Sequence, residues 1–74
     1  MKPTLAQHSA FLSQELLRGV TYRHNEYVTV IAGEYVGTAG SLVSVEDLGN
    51  DPVFLIELDR GFDALVHQSE IERI

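Results

Sequence analysis

The sequence contains the three residue types of a hydrolytic triad close together, as Asp63, His67 and Ser69. In such a triad the serine attacks the substrate, the histidine takes its proton and the aspartate orients the histidine. All three fall within a short stretch of predicted strand and corner, where the geometry does not bring them onto one nucleophile. We therefore predict no catalytic residues and expect that the chain is not an enzyme.

Metal chemistry is the next possibility. Zinc sites use about four nitrogen, sulfur or oxygen ligands in a tetrahedral arrangement. The three histidines are instead spread over a predicted helix, a linker and a strand end (His8, His24 and His67). The acidic residues Glu46, Asp47 and Asp51 lack the order of a calcium-binding EF-hand loop. We predict a solvated acidic turn here, and no metal or other cofactor.

Three regularly spaced glycines, Gly33, Gly37 and Gly40, suggest phosphate binding at first sight. A Walker A loop, however, requires a lysine after its last glycine, and a dinucleotide-binding loop requires the order G-x-G-x-x-G. Neither pattern is present. Glycine tolerates positive φ and close backbone approach, so we predict that these glycines form a structural turn between two strands.

Length and composition indicate one small domain over residues 1–74. The chain has 74 residues, of which 45% are hydrophobic, and no cysteine. A secreted chain of this size often carries disulfides, so the composition favours a reducing compartment, and we expect a cytoplasmic protein. Residues 1–10 lack the apolar core of a signal peptide, and no apolar run is long enough to span a membrane.

Charge is distributed unevenly along the chain. Residues 26–74 carry ten acidic side chains against two arginines, whereas residues 1–25 are slightly basic. Nucleic-acid binding depends on clustered lysine and arginine. We therefore expect that nucleic acid is not the main partner.

Residues 4–18 have the pattern of an amphipathic helix. Thr4 and Gln7 have the spacing of a capping box, and Gly19 is placed to end the helix. Its apolar stripe is predicted to pack against the rest of the protein (Leu5, Leu12 and Leu16). Phe11 falls on the opposite, polar face.

The remainder of the chain, residues 26–74, has the pattern of short strands separated by turns. The clearest strand is 53–58, in which Phe54, Ile56 and Leu58 share one face and should enter the core. Further strands are predicted around Val28 and Val30, at 42–45, at 64–67 and at 71–74, with a tight corner at 68–70. The predicted fold is mostly β: a small SH3-like antiparallel barrel of about five short strands with one N-terminal α-helix.

Within this region, residues 28–45 resemble the KOW motif. The matching positions are the apolar residues of two strands and the glycines between them (Val30, Ile31, Gly33, Gly37, Gly40, Leu42 and Val45). KOW motifs occur in SH3-like barrels of transcription elongation factors and of a family of large-subunit ribosomal proteins. The resemblance implies the barrel fold over residues 26–74. The family often has lysines in the glycine segment, where this chain has Val36 and Thr38.

A weaker resemblance covers residues 36–45 followed by 52–58. This part is similar to small SH3-like accessory subunits of photosynthetic electron-transfer complexes, which dock other proteins and do not catalyse. Both resemblances imply the same barrel.

Aromatic residues near predicted loops or polar faces are candidates for partner binding. Tyr35 lies in the glycine segment, Phe62 lies at a turn beside Gly61, and Phe11 lies on the polar helix face. Exposed aromatic side chains often anchor protein partners. The alternative is that some of them pack the helix onto the barrel.

The sequence thus favours a non-catalytic protein-interaction module in the cytoplasm. The alternative is an RNA-, ribosome- or transcription-associated KOW domain in which Lys2, Arg18 and Arg23 contact phosphates. The sequence leaves open whether the protein is a monomer or a homodimer.

Overall fold

The computed structural model describes all residues 1–74 and contains one helix and five strands. In chain order these are α1 (Leu5–Leu12), β1 (Tyr27–Val30), β2 (Ala39–Asp47), β3 (Val53–Leu58), β4 (Asp63–His67), a 3-10 turn (Gln68–Glu70) and β5 (Ile71–Arg73). All strand pairs are antiparallel, in the spatial order β4-β3-β2-β1-β5. The structure confirms the mostly β prediction: one five-stranded sheet with a short N-terminal helix forms a small barrel-like fold.

The strand β3 lies at the centre of the core. Phe54, Ile56 and Leu58 are buried, as their alternation predicts. β2 is longer than the predicted 42–45 and has two register shifts against β3, one between Leu42 and Ser44 and one between Val45 and Asp47. Such bulges increase local twist, which lets a small sheet curve around its own core. The core consists of fourteen hydrophobic residues (Phe11, Val20, Tyr22, Val28, Val30, Leu42, Val45, Leu48, Phe54, Ile56, Leu58, Ala64, Val66 and Ile71).

The helix is shorter than predicted: α1 ends at Leu12, not at residue 18. The predicted capping box is present, since Thr4 Oγ1 accepts from Gln7 N at 3.1 Å and Gln7 Oε1 accepts from Thr4 N at 2.8 Å. The chain leaves the helix at Gln14, whose φ is 71°. Hydrogen bonds from Gln14 N to Phe11 O and from Glu15 N to Ala10 O complete a Schellman ending. No helix in the molecule has both the length and the apolar character needed to cross a membrane.

The packing face of the helix is also opposite to the prediction. Phe11 is 1% exposed, and its ring lies 6.2 Å from that of Phe54 and 5.9 Å from that of His24. The predicted packing stripe faces solvent instead, since Leu5, Leu12 and Leu16 are all exposed. Leu16 lies beyond the end of the helix, so a continuous leucine stripe does not form, and the buried side chain of the two-turn helix is Phe11.

Residues 13–26 contain no helix or strand, and residues 68–73 hold the stretch 19–22 in place. Gln68 accepts from Thr21 N at 2.9 Å and donates to Gly19 O at 3.1 Å. The Tyr22 hydroxyl donates to Ile71 O at 3.1 Å, and the Arg73 guanidinium lies 4.5 Å from the centre of the Tyr22 ring. These contacts bury Tyr22 at the side of the barrel.

Candidate partner-binding surface

The connection between β1 and β2, residues 31–38, is a tightly hydrogen-bonded loop. Gly33 and Gly37 have φ values of 87° and 89°, as expected for a turn that only glycine adopts readily. Gly37 N donates to Val30 O at 3.0 Å, and Val30 N donates to Thr38 O at 2.8 Å, which closes the loop. These two glycines therefore have the predicted structural role, and they fix where Tyr35 emerges.

The third glycine, Gly40, is not in the turn. It lies within β2, is buried and does not have a positive φ. A β-carbon at this position would lie 2.9 Å from the Glu57 carbonyl carbon and from Leu58 Cα, and closer still to the Glu57 carbonyl oxygen. Glycine is required here because the β3 backbone approaches so closely. The prediction that Gly40 belongs to the structural turn is wrong.

Tyr35 and Phe62 come together although they are far apart in sequence. Their ring centres are 6.1 Å apart with an interplanar angle of 55°, within the range of favourable aromatic pairs. Tyr35 is partly buried against the core, whereas Phe62 is 44% exposed. The pair thus has one ring fixed by the barrel and one available at the surface.

The position of Phe62 depends on a tight turn between β3 and β4, residues 59–62. Leu58 N donates to Phe62 O at 2.9 Å, and Gly61 adopts a φ of 94°. Asp59 N donates to Ala39 O at 2.9 Å, which joins this turn to the end of the 31–38 loop. Because β1 ends and β2 begins at the same end of the sheet as the β3–β4 turn, both aromatic residues are held on one surface.

Tyr27 extends this surface and was not predicted as a site residue. It is exposed, and its hydroxyl donates to the Asp59 carboxylate. That hydrogen bond to a carboxylate raises the pKa of Tyr27 above its usual value. The sequence signal was weak, because Tyr27 opens a strand and its contact with Asp59 depends on how the sheet pairs.

The surface around the aromatic pair combines apolar and acidic side chains. Ile31 and Val36 of the 31–38 loop are exposed large hydrophobic residues. Acidic residues of the same loop and of the neighbouring turn region are exposed as well (Glu34, Glu57, Asp59 and Asp63), and Arg60 is the basic residue of the turn. We call the surface formed by Tyr35 and Phe62, together with Tyr27 beside Asp59, the aromatic surface. No pocket is found on the molecule, so the aromatic surface is open and not a cleft.

Phe11 does not belong to the aromatic surface. Burial against Phe54 and His24 gives it a structural role, so its prediction as a partner-binding residue is wrong. Its position among polar residues was misleading because the helix buries only a narrow face. The partner-binding candidates that the structure brings together are Tyr35 and Phe62.

Asp51, rather than Asp63, is the carboxylate near His67 and Ser69. Asp51 accepts hydrogen bonds from Ser69 Oγ at 2.6 Å and from Ser69 N at 2.9 Å, which lower the pKa of Asp51. His67 Nδ1 lies 3.2 Å from Asp51 O and 3.7 Å from Asp51 Oδ2. In this arrangement the serine donates to the carboxylate, not to the histidine, so the geometry is that of a capped turn and differs from a hydrolytic triad.

The acidic residues at 46–51 each accept a hydrogen bond from a different group of the protein. Glu46 accepts from Ser44 Oγ at 2.6 Å, Asp47 pairs with the ammonium of Met1, and Asp51 caps Ser69. Hydrogen bonding to that ammonium lowers the pKa of Asp47. No group of three or more histidine, cysteine, aspartate or glutamate side chains is arranged to hold a metal ion.

Scans against models of protein families and searches of characterised proteins and of solved structures found no match to this chain.

Proposed function

We propose that this protein is a non-catalytic, cytoplasmic interaction module of the SH3-like, KOW type that binds a protein partner through the aromatic surface. The partner presents an aromatic or apolar side chain to Phe62 and basic side chains to the surrounding carboxylates. The resemblance to KOW domains and the open, pocket-free surface support this proposal.

The contact between Tyr35 and Phe62 is the observation that carries the proposal. Tyr35 is held by the core and by its loop, so Phe62 rests on a rigid support while it remains exposed. A preorganised aromatic side chain loses little conformational entropy on binding, which is why such residues often dominate binding energy.

The charge of the neighbouring residues favours a basic partner. Glu34, Asp59 and Asp63 are exposed on the segments that carry the aromatic pair, and the whole chain has a formal charge of −6. Complementary charge speeds association and suppresses wrong partners more than it adds affinity. A basic segment with an aromatic or apolar anchor therefore fits this surface best.

The RNA-associated alternative depends on Lys2, Arg18 and Arg23. The Arg23 guanidinium donates a hydrogen bond to Gln14 O within the protein. No contact brings the three basic residues together into one positively charged surface. We therefore keep protein binding as the single proposed function.

Selection from a phage-displayed library of random peptides tests the proposal. We expect enriched peptides to combine arginine or lysine with an aromatic residue, and to shift the NMR signals of Tyr35 and Phe62. Phe62→Ser should weaken their binding by at least about tenfold, as expected for loss of a central aromatic anchor.

Leu12→Ser is the matched control, because Leu12 is also an exposed hydrophobic residue but lies on α1. It should leave peptide binding unchanged. The proposal is wrong if no basic, aromatic peptides are enriched, or if folded Phe62→Ser binds them as well as the wild type does.

A further inference from the structure

A second surface, the outer edge of β4, has free backbone hydrogen-bonding groups. Gln68 N donates to Pro52 O at 2.7 Å, and Leu58 N donates to Phe62 O at 2.9 Å, so residues 62 and 68 face β3. Strand backbone groups alternate direction with a period of two. Asp63, Leu65 and His67 therefore direct their N–H and C=O groups away from β3, toward the open edge of the sheet.

This edge lacks proline, lysine and a β-bulge, three of the features that prevent edge strands from pairing. Natural edge strands are often short, bulged, or protected by proline and lysine. β4 contains neither residue, and its register with β3 runs without a bulge from His67 opposite Val53 to Asp63 opposite Glu57. The other edge strand, β5, has only three residues and carries Glu72 and Arg73.

The outer face beside this edge has an apolar residue, Leu65, at its centre, between Asp63 and His67. Leu65 is 58% exposed, and it lies directly opposite Leu55, a partly buried residue on the same face of the sheet. A strand added at the β4 edge would cover Leu65 and continue this apolar row.

The sequence of β4 identifies a second copy of this chain as the occupant. When β4 pairs antiparallel with itself about a two-fold axis at Leu65, Asp63 lies opposite His67 of the second copy, and His67 lies opposite Asp63 of the second copy. Each end of the pairing thus joins an acidic and a basic side chain, while Leu65 meets Leu65 at the centre.

We propose that the protein forms a homodimer in which the two β4 strands pair antiparallel about Leu65 and join both sheets into one. Leu65 forms a reciprocal pair of backbone hydrogen bonds across the axis, and Asp63 N–H donates to His67 C=O of the second copy at each end. Glu70 Oε1 already accepts from His67 N at 2.8 Å, which ends the pairing at that residue. The dimer does not use Tyr35 or Phe62, so this inference is independent of the proposed function except at Asp63, which takes part in both surfaces.

Sedimentation equilibrium and NMR together test the dimer. We expect wild-type protein at about 1 mM, a concentration suited to weak association, to sediment with twice its mass of 8.2 kDa. In a mixture of isotope-labelled and unlabelled protein, filtered NMR should show intermolecular contacts between the Hα atoms of Ala64 and Val66, which face each other in this register only.

Two variants distinguish backbone pairing from other association. Leu65→Pro removes the outward N–H without removing a bond to β3, so it should fold and sediment as a monomer. Asp63→Lys should weaken association about tenfold, because it removes both cross-strand Asp–His pairs.

Glu72→Lys is the control for net charge, because it makes the same charge change on the opposite edge strand and should not weaken association. The proposal is overturned if wild-type protein is monomeric at about 1 mM. It is also overturned if Leu65→Pro still dimerises, which would place the contact elsewhere, for instance on the exposed leucines of α1. A β4 edge that pairs only with added peptide, and never with itself, would identify a foreign strand as the occupant.

Discussion

At the scale of single residues, Gly40 and Asp51 show how specific contacts fix this small fold. Gly40 lets two backbones approach where a side chain does not fit, and Asp51 ties the β2–β3 turn to the corner before β5. Neither residue contributes apolar burial. Their effects on stability are therefore distinguishable from those of core residues.

Gly40→Ala should destabilise the protein by about 1–3 kcal/mol or more, because the new methyl group would overlap the Glu57 carbonyl and overpacking costs this much. Urea denaturation measures the change. Gly49→Ala is the matched control, since a β-carbon there has no neighbour within 4 Å. Equal stability of the two variants would show that the close approach of β2 and β3 is not rigid.

Asp51 should make the stability of the protein depend on pH under acidic conditions. Hydrogen bonds from Ser69 lower the pKa of the folded-state carboxyl, so its ionised form stabilises the fold above the unfolded pKa of about 3.9. This stabilisation is lost as the pH falls through the folded pKa. Asp51→Asn should therefore lower Tm relative to wild type at pH 7, and the difference should shrink below about pH 4.

Ser69→Ala removes the one hydrogen bond of the Ser69 side chain to the same carboxylate and leaves that of its backbone N–H, so it should show a similar but smaller pH-dependent loss. Thermal unfolding followed by circular dichroism gives both curves. A Tm difference for Asp51→Asn that is the same at pH 7 and in acid would refute the assigned cause.

At the scale of elements, the sequence predicts β3 well and α1 poorly. The alternation of Phe54, Ile56 and Leu58 is a local property, and burial follows from it directly. The end of α1 depends on Gln14 adopting a positive φ, which is uncommon for residues other than glycine. The periodicity of leucines suggested a longer helix, whereas the packed residue is Phe11.

The candidate surface was only partly predictable for a similar reason. The sequence indicates Tyr35 and Phe62 one at a time, each because it lies near a glycine in a predicted turn. Their contact and the addition of Tyr27 depend on antiparallel pairing that brings the 31–38 loop and the 59–62 turn to one end of the sheet. Local sequence patterns do not encode such long-range placement.

Phe11→Ala should cost about 3–5 kcal/mol, the usual range for a fully buried phenylalanine, and release α1 from the barrel. Denaturation and the NMR signals of Phe54 and His24 report both effects. Leu12→Ala, the next residue on the exposed side, should change stability by less than about 0.5 kcal/mol. A larger loss for Leu12→Ala than for Phe11→Ala would mean that the helix packs through its leucines.

At the scale of the whole molecule, the chain is acidic and its charge is unevenly distributed. The formal charge is −6, and most of the acidic residues belong to the barrel. Of the five basic side chains, Arg73 pairs with Glu26 at the surface. The field around the protein should attract basic partners and repel phosphate backbones.

We therefore expect no RNA or DNA binding tighter than about 10⁻⁴ M at about 150 mM salt, the weak end of non-specific affinities. Fluorescence anisotropy with mixed-sequence RNA measures this. Lowering the salt should produce no steep increase in affinity, because few phosphates would be neutralised. Micromolar binding with a steep salt dependence would instead support the RNA-associated alternative.

The contacts of Gln68 and Tyr22 have a consequence for the order in which the protein folds. Residues 19–22 are held mainly by groups at 68–73, about 50 positions further along the chain. During synthesis on a ribosome residues 19–22 are made before those groups exist. We expect them to become ordered only after β5 has paired with β1, so residues 19–22 should be the last part of the chain to become protected from proteases.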